Sequence, residues 1–255
     1  MATNKNMTKA TLQKNDDAVI YKVMIALAAA FICLLALRSL RDYYSTIEGF
    51  SALYDRTNII AVIGLVVAAA AVAVTIFWKN KIAGIIAPWM IAVGLMVAVT
   101  GRSMRISGVA DFGFLFFLCI AALVQYMIFQ LYRWEFFLFS LSTVTAGGVF
   151  FSFSRGLYWT GKNITVMVIL ALVLVGTTLC CRMACSNKGF LSLGSTRIRL
   201  YGAKSAPILL YIVNGLWLVC AICIPLLGGL FAYYCMFAAI AVEFIAAVYY
   251  TFQLS

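Results

Sequence analysis

Long apolar stretches, separated by short polar turns, run along almost the whole chain. Eight of them are about 18 to 22 residues long, enough for a helix to cross the hydrocarbon core of a bilayer. Inside a bilayer the backbone must satisfy its own hydrogen bonds, so an α-helix is the favoured conformation. The predicted spans are Val19–Leu37, Ile59–Trp78, Ile82–Thr100, Phe112–Tyr132, Phe136–Phe153, Ile164–Cys181, Ala206–Leu227 and Leu230–Tyr250.

These stretches predict an all-α fold, a polytopic transmembrane helix bundle with about eight spans. We expect residues 19–255 to form a single transmembrane helical domain and the polar segment 1–18 to be a flexible cytoplasmic tail. The composition supports this class, because 65% of the residues are hydrophobic, 11% are charged and the mean hydropathy is +1.04. The chain is therefore expected to be an integral protein of the plasma (cytoplasmic) membrane, surrounded by membrane lipids.

The first predicted span, Val19–Leu37, has two interpretations. Its apolar run is compatible with the core of a signal peptide, and Ala26 and Ala28 are small residues of the kind that cleavage needs. Ala36 and Arg38, near the end of the run, do not make a convincing cleavage site. We therefore favour an uncleaved membrane anchor.

The distribution of Lys and Arg predicts the orientation, because cytoplasmic turns retain positive charges. With the amino terminus inside, twelve of the 19 basic residues fall in inner segments and seven in outer turns. Eight spans then place both termini in the cytoplasm. This topology and contacts with anionic headgroups explain the net charge of +11, so nucleic-acid binding is not expected. The inner basic residues are Lys5, Lys9, Lys14, Lys22, Lys79, Lys81, Arg133, Arg182, Lys188, Arg197, Arg199 and Lys204.

The basic loop, residues 182–205, is an inner connection long enough to fold. Within it, Leu191–Tyr201 alternates apolar and polar residues, which predicts a small hairpin. Lipid headgroups are one partner for its positive charge, and an acidic cytosolic protein is the other. The sequence leaves the oligomeric state open. The predicted partner-binding residues are Arg182, Lys188, Arg197, Arg199 and Lys204.

Two further patterns concern packing. The outer segment Leu40–Tyr54 has apolar residues at helical spacing against a charged face, which predicts an amphipathic helix on the membrane or over the bundle. Small residues four positions apart, such as Gly64 with Ala68 and Gly94 with Ala98, allow helices to approach closely. We interpret these pairs as packing positions.

Glu243 is the one ionisable residue well inside a predicted span. A charged group at that depth costs roughly 2.5 kcal/mol or more, so such residues usually face the bundle interior and indicate function. Small residues on the neighbouring turns, Ala239, Ala246 and Ala247, leave room for another helix beside it. We therefore expect the Glu243 side chain to face inward.

Three polar residues of other spans are expected at the same depth. Asn214 and Glu243 are equally far along the chain from the turn Gly228–Gly229, which makes Asn214 the predicted partner of Glu243. Gln125 and Thr143 each lie seven residues from the inner end of their spans. The predicted substrate- or ion-binding set is Glu243, Asn214, Gln125 and Thr143.

This polar layer has a functional and a structural interpretation. In the functional one, Glu243 changes charge while the other three side chains hydrogen-bond a substrate or coupling ion. In the structural one, a neutral, protonated Glu243 ties two helices together. Hydroxyls of the fifth span, Ser140 and Thr143 among them, are explained equally well by bonds to their own backbone.

The eight cysteines do not predict structural disulfides, because none lies in a predicted outer turn. Cys220 and Cys223 have the spacing of a redox pair, and Cys235 lies at nearly the depth of Cys223 across the last turn. Thiols in apolar surroundings react poorly, which makes a thiol relay the less favoured alternative.

Enzymatic sites find little support in the sequence. It contains no histidine, no phosphate-binding glycine loop and no pair of acidic residues within one span, so we expect no enzyme, no cofactor and no metal. The expected function is transport, by a small permease, a channel or the membrane subunit of a transport complex with a proton- or ion-linked site around Glu243. The alternatives are a non-transporting membrane scaffold or assembly factor and an intramembrane thiol redox protein.

Overall fold

The computed structural model describes residues 2–54, 56–77, 90, 93–94, 97–102, 104–105, 112–155, 161–187, 189–193, 196–200 and 207–254. Helices make up nearly all of this part of the chain, and two short strands accompany them. The helices are α1 (Ala2–Tyr44), α2 (Ile47–Tyr54), α3 (Thr57–Phe77), α4 (Phe112–Leu131), α5 (Trp134–Arg155), α6 (Gly161–Ser186), α7 (Ile208–Leu227) and α8 (Gly229–Leu254). The strands are β1 (Phe190–Leu193) and β2 (Thr196–Arg199).

Seven of the described helices are long and apolar enough to cross a membrane, which confirms an integral membrane protein built from helices. They correspond to seven of the eight predicted spans. The remaining one, Ile82–Thr100, lies largely outside the described residues, and those of its residues that are described are helical. The total number of spans and the cytoplasmic location of both termini stay predictions.

Helix α1 extends beyond the predicted first span at both ends. It begins at Ala2 and so includes residues 2–18, whose role as a flexible cytoplasmic tail stays a prediction. At its other end α1 continues to Tyr44, beyond the predicted boundary at Leu37. The outer segment Leu40–Tyr54 is thus divided between the end of α1 and the short helix α2.

The chain forms two compact units, one of Met1–Ala30 with Phe117–Ser255 and the other of Phe31–Phe116. In the first unit α5 is the central helix, since 72% of its span is buried against at most 33% of any other described span. It packs against α6, α7 and α8, and its Phe151 ring stacks on Phe117 of α4. Because other helices shield α5 from lipid, its hydroxyl side chains Ser140, Ser142 and Ser152 are buried.

Helices α7 and α8 form an antiparallel hairpin. Gly228 ends α7 with a φ of 96°, a conformation that glycine adopts without steric cost, and its N–H donates to the Ile224 carbonyl. Along α8, Ala232, Ala239 and Ala246 are buried at seven-residue intervals. Small side chains at this spacing allow α8 to lie close against its neighbours.

The second unit contains a close approach between α3 and the helical residues around Gly94. A Cβ on Gly64 would lie 2.5 Å from the Ala98 amide nitrogen, and a Cβ on Gly94 would lie 2.7 Å from that of Ala68. Each glycine therefore accommodates the backbone of the opposite helix. This reciprocal contact confirms the interpretation of Gly64, Ala68, Gly94 and Ala98 as packing positions.

The basic loop contains the predicted hairpin. Strands β1 and β2 pair antiparallel, with Leu191 opposite Ile198 and Leu193 opposite Thr196. Of the predicted partner-binding residues, Arg182 is exposed near the end of α6, and Arg197 and Arg199 belong to β2. Lys188 and Lys204 lie outside the described residues.

Candidate functional site

A chain of hydrogen bonds crosses three helices in the first unit. Gln125 of α4 donates from Nε2 to the Ser140 hydroxyl of α5 over 2.6 Å. The Ser140 hydroxyl in turn donates to Oε1 of Glu243 on α8. Because one hydroxyl accepts and donates at once, Ser140 connects the amide of Gln125 to the carboxyl of Glu243. The structure thus brings together two of the four predicted site residues.

The position of Glu243 on α8 follows from the faces of that helix. Ala239 and Ala246, one turn to either side, are buried, whereas Phe244 is 70% exposed, as suits a side chain facing lipid. Glu243 itself is partly buried, at the edge of the packed face. Its side chain faces α5, as the small residues around it predicted.

Three buried oxygens of the predicted site residues accept no hydrogen bond from the described part of the chain. They are Oε1 of Gln125, Oδ1 of Asn214 and Oε2 of Glu243. A buried polar atom without a partner is costly, and such exceptions in a structure call for a chemical reason. Each of the three would accept a hydrogen bond or coordinate a hard cation, and Glu243 Oε2 would also take a proton directly.

Asn214 does not bond to Glu243, so its prediction as the partner of that residue was wrong. Its Nδ2 donates instead to the hydroxyls of Thr177 and Thr178 on α6, both at 3.0 Å. Counting residues from a turn fixes the depth of a side chain but not the direction in which its helix faces. The partner of Glu243 is Ser140, which the sequence placed only in a weakly polar stripe.

Thr143 also lies outside the chain of hydrogen bonds. Its hydroxyl accepts from Nε1 of Trp217 on α7 over 3.3 Å and donates to the Phe139 carbonyl over 3.1 Å. Trp217 is 1% exposed and packs its ring against Phe150. Thr143 therefore anchors a buried indole between α5 and α7.

A second buried carboxyl group, which the sequence did not predict, lies near the amino-terminal end of α5. Glu135 is 8% exposed, and its Oε1 accepts a hydrogen bond from the Tyr250 hydroxyl of α8 over 3.1 Å. A charged residue beside the short turn that precedes α5 is typical of a solvated position. The sequence does contain one signal for this contact. Tyr250 lies seven positions after Glu243 and so on a similar face of α8, which places its hydroxyl toward the same neighbouring helix.

Three cysteines of the last two helices lie near one another. Cys235 of α8 has Cys220 and Cys223 of α7 as neighbours. This agrees with the similar depths predicted for Cys223 and Cys235. All three carry free thiols. Their proximity alone does not supply the electropositive, accessible surroundings of a reactive thiol.

The fold and its apolar spans define the class of the protein as an integral membrane helix bundle. The chain matches no protein-family model, no curated protein and no solved structure. Its function has to be inferred from the chemistry of its own residues.

Proposed function

We propose that the chain is a membrane protein of transport type whose Glu243 carboxyl binds and releases a proton or coupling ion. The observation that carries the proposal is the hydrogen-bonded chain from Gln125 through Ser140 to Glu243, with an oxygen at either end that has no partner among the described residues. An ionisable group inside a membrane span is costly, and a purely structural tie would not need one.

The donor and acceptor roles along the chain assign a distinct task to each residue. Gln125 donates to Ser140, so the single Ser140 proton is directed at Oε1 of Glu243. Oε2 is then the oxygen of Glu243 that remains to carry a proton or contact a cation. Gln125 and Ser140 hold the carboxyl in one orientation while its charge changes.

Charge balance makes this carboxyl suitable for coupling. In apolar surroundings the neutral acid is favoured, and the carboxylate requires a compensating cation close by. Proton release and cation binding at Oε2 are therefore linked. A transporter uses such a link when the second ion or substrate occupies the site only after the proton has left.

Such transport could draw its energy from either of two sources. The sequence contains no phosphate-binding glycine loop, so active transport would use an ion gradient or a separate ATPase. An ATPase would dock most readily on the basic loop, whose hairpin offers a folded surface. Co-purification of a nucleotidase with the full chain would support the second form.

Proton flux into vesicles tests the proposal without knowledge of the substrate. The purified chain is reconstituted in liposomes that contain a pH-sensitive dye, and a potassium diffusion potential drives the flux. We expect Glu243→Gln to abolish protein-dependent acidification. Glu48→Gln, which changes an exposed acid of α2, serves as the matched control and retains the flux. Equal flux from the parent and Glu243→Gln at every pH contradicts the proposal.

A non-transporting scaffold is the second candidate, and the hairpin of the basic loop is the observation that favours it. A scaffold would use this surface to hold a cytosolic protein at the membrane. Replacement of Arg197 and Arg199 by Ala would then release the partner, whereas Glu243→Gln would leave the complex intact. Co-purification of the partner from membranes measures both effects.

A further inference from the structure

The two carboxyl groups of the first unit lie along one helix interface. Glu243 and Tyr250 are both on α8, seven residues apart, which corresponds to about 10 Å along the axis. Ser140 and Glu135 are their respective partners on α5. The Glu243 site is thus separated from the Glu135 end of α5 by about two helical turns.

An aromatic layer, made by Tyr250 of α8 with Phe136 and Phe139 of α5, lies along the helix interface between these two positions. The Tyr250 ring stacks on Phe136 with centroids 4.9 Å apart and lies 6.5 Å from Phe139. Phe136 and Phe139 are buried, and so is Ala246, which lies between Glu243 and Tyr250 on α8. This layer therefore lies along the α5–α8 interface between the Glu135 end of α5 and Ser140, the hydrogen-bond partner of Glu243.

Two hydrogen bonds hold the end of α8 beside this layer. The Tyr250 hydroxyl donates to the buried carboxyl of Glu135, and the neighbouring Thr251 shares a hydrogen bond of 2.8 Å with the Tyr132 hydroxyl. Both hydrogen bonds join the last turns of α8 to residues at the α4–α5 turn. Their rupture would free the end of α8 without breaking the Glu243 site itself.

We propose that the hydrogen bond between Tyr250 and Glu135 is a gate that controls access to the Glu243 site from the Glu135 end of α5. This inference rests on the proposed function of Glu243 and adds the route by which its proton or cation enters. Tyr250 is the moving element, because a change in its side-chain torsions would withdraw both the hydroxyl from Glu135 and the ring from Phe136. Glu135 stays in place and accepts the hydrogen bond again when the Tyr250 side chain moves back.

The gate is tested by labelling a cysteine placed behind it. Ala246→Cys puts a thiol between Tyr250 and Glu243, and a membrane-impermeant methanethiosulfonate is applied to each face of the vesicles in turn. Labelling of residue 246 is measured by peptide mass spectrometry. Tyr250→Phe removes the gating hydroxyl but keeps the ring, and we expect it to increase the labelling rate about tenfold, and only from the Glu135 side.

Matched variants separate the gate from other causes. Tyr249→Phe removes a hydroxyl from the adjacent, exposed ring and should leave the labelling rate unchanged. Glu135→Gln weakens the acceptor and should produce a smaller increase from the same side. If Ala246→Cys does not fold, Ala247→Cys on the half-buried neighbouring position replaces it. An unchanged rate in Tyr250→Phe, or an increase from the opposite face, overturns the proposal.

Failure of the gate and failure of the proposed function give different results. Loss of proton flux in Glu243→Gln together with unchanged labelling in Tyr250→Phe rejects the gate and keeps the proton site. Intact flux in Glu243→Gln together with faster labelling in Tyr250→Phe rejects the proton site and shows a gate for another solute. A lower melting temperature of Tyr250→Phe without faster labelling identifies the hydrogen bond as a structural tie and overturns the gate.

Discussion

Ser140 of α5 donates its hydroxyl proton to the Glu243 carboxyl of α8 while it accepts a hydrogen bond from Gln125 of α4. Ser140 is fully buried, so neither bond competes with solvent. A single small side chain thereby connects three helices and fixes the orientation of an acid inside the membrane-spanning region.

Replacement of Ser140 by Ala should impair both stability and flux. It leaves the Gln125 amide and Oε1 of Glu243 without partners, and we expect a loss of about 1 kcal/mol in the free energy of unfolding. Proton flux should decrease without disappearing, because the carboxyl remains. Ser142→Ala is the control, since Ser142 is equally buried and donates to the Phe139 carbonyl of its own helix. Equal effects of the two substitutions would show that Ser140 has no special role.

Asn214→Ala should behave as a structural variant. The substitution removes two hydrogen bonds to Thr177 and Thr178, so the α6–α7 contact should weaken by about 1 kcal/mol. Because Asn214 does not bond to Glu243, the pH dependence of proton flux should keep its midpoint. Melting temperature and flux are measured on the same preparation. A shifted midpoint would place Asn214 in the Glu243 site after all.

Gly64→Val should strongly destabilise the second unit. A Cβ at Gly64 would lie 2.5 Å from the Ala98 amide nitrogen, and backbone cannot yield as a flexible side chain does. We expect a loss of about 2 kcal/mol or more in thermal unfolding. Gly215→Ala tests the opposite case, because no described atom beyond the adjacent backbone of its own helix lies within 4 Å of the added Cβ. That variant should be neutral or more stable by up to about 1 kcal/mol.

The orientation predicted from Lys and Arg is tested with native cysteines. Cys185 is exposed near the end of α6, which the predicted topology places on the cytoplasmic side. An impermeant maleimide should therefore label Cys185 in inside-out vesicles but not in intact right-side-out ones. Buried Cys235 is the internal control and should react in neither preparation. The reverse pattern for Cys185 would invert the topology and the side from which the gate opens.

The sequence predicted those features that depend on local pattern and on distance along the chain. Continuous apolar runs predicted the helices, and alternation in Leu191–Tyr201 predicted the hairpin that β1 and β2 form. The small neighbours of Glu243 correctly predicted its inward face. These inferences succeed because hydrophobic period and residue size act within one element.

Contacts that depend on helix rotation could not be predicted in this way. Asn214 and Glu243 are equally far from the turn that joins their helices, yet Asn214 faces Thr177 on α6. The partner of Glu243 depends on the rotation of α5 about its axis. Because α5 packs against several helices, the sequence does not determine which helix each of its hydroxyls faces. Glu135 was not predicted because a charged residue beside a short turn is usually solvated, whereas this one is buried and accepts a hydrogen bond from the Tyr250 hydroxyl.

Infrared difference spectroscopy in lipid vesicles measures directly whether Glu243 exchanges a proton. Spectra of the carboxyl stretching region are recorded across a pH titration of the parent, Glu243→Gln and Glu135→Gln, with isotope-labelled glutamate to assign the band. We expect a protonated-carboxyl band that grows on acidification, persists in Glu135→Gln and is absent from Glu243→Gln. A titrating band of equal intensity in Glu243→Gln, or none in the parent, would contradict the assignment of Glu243 as the protonatable group.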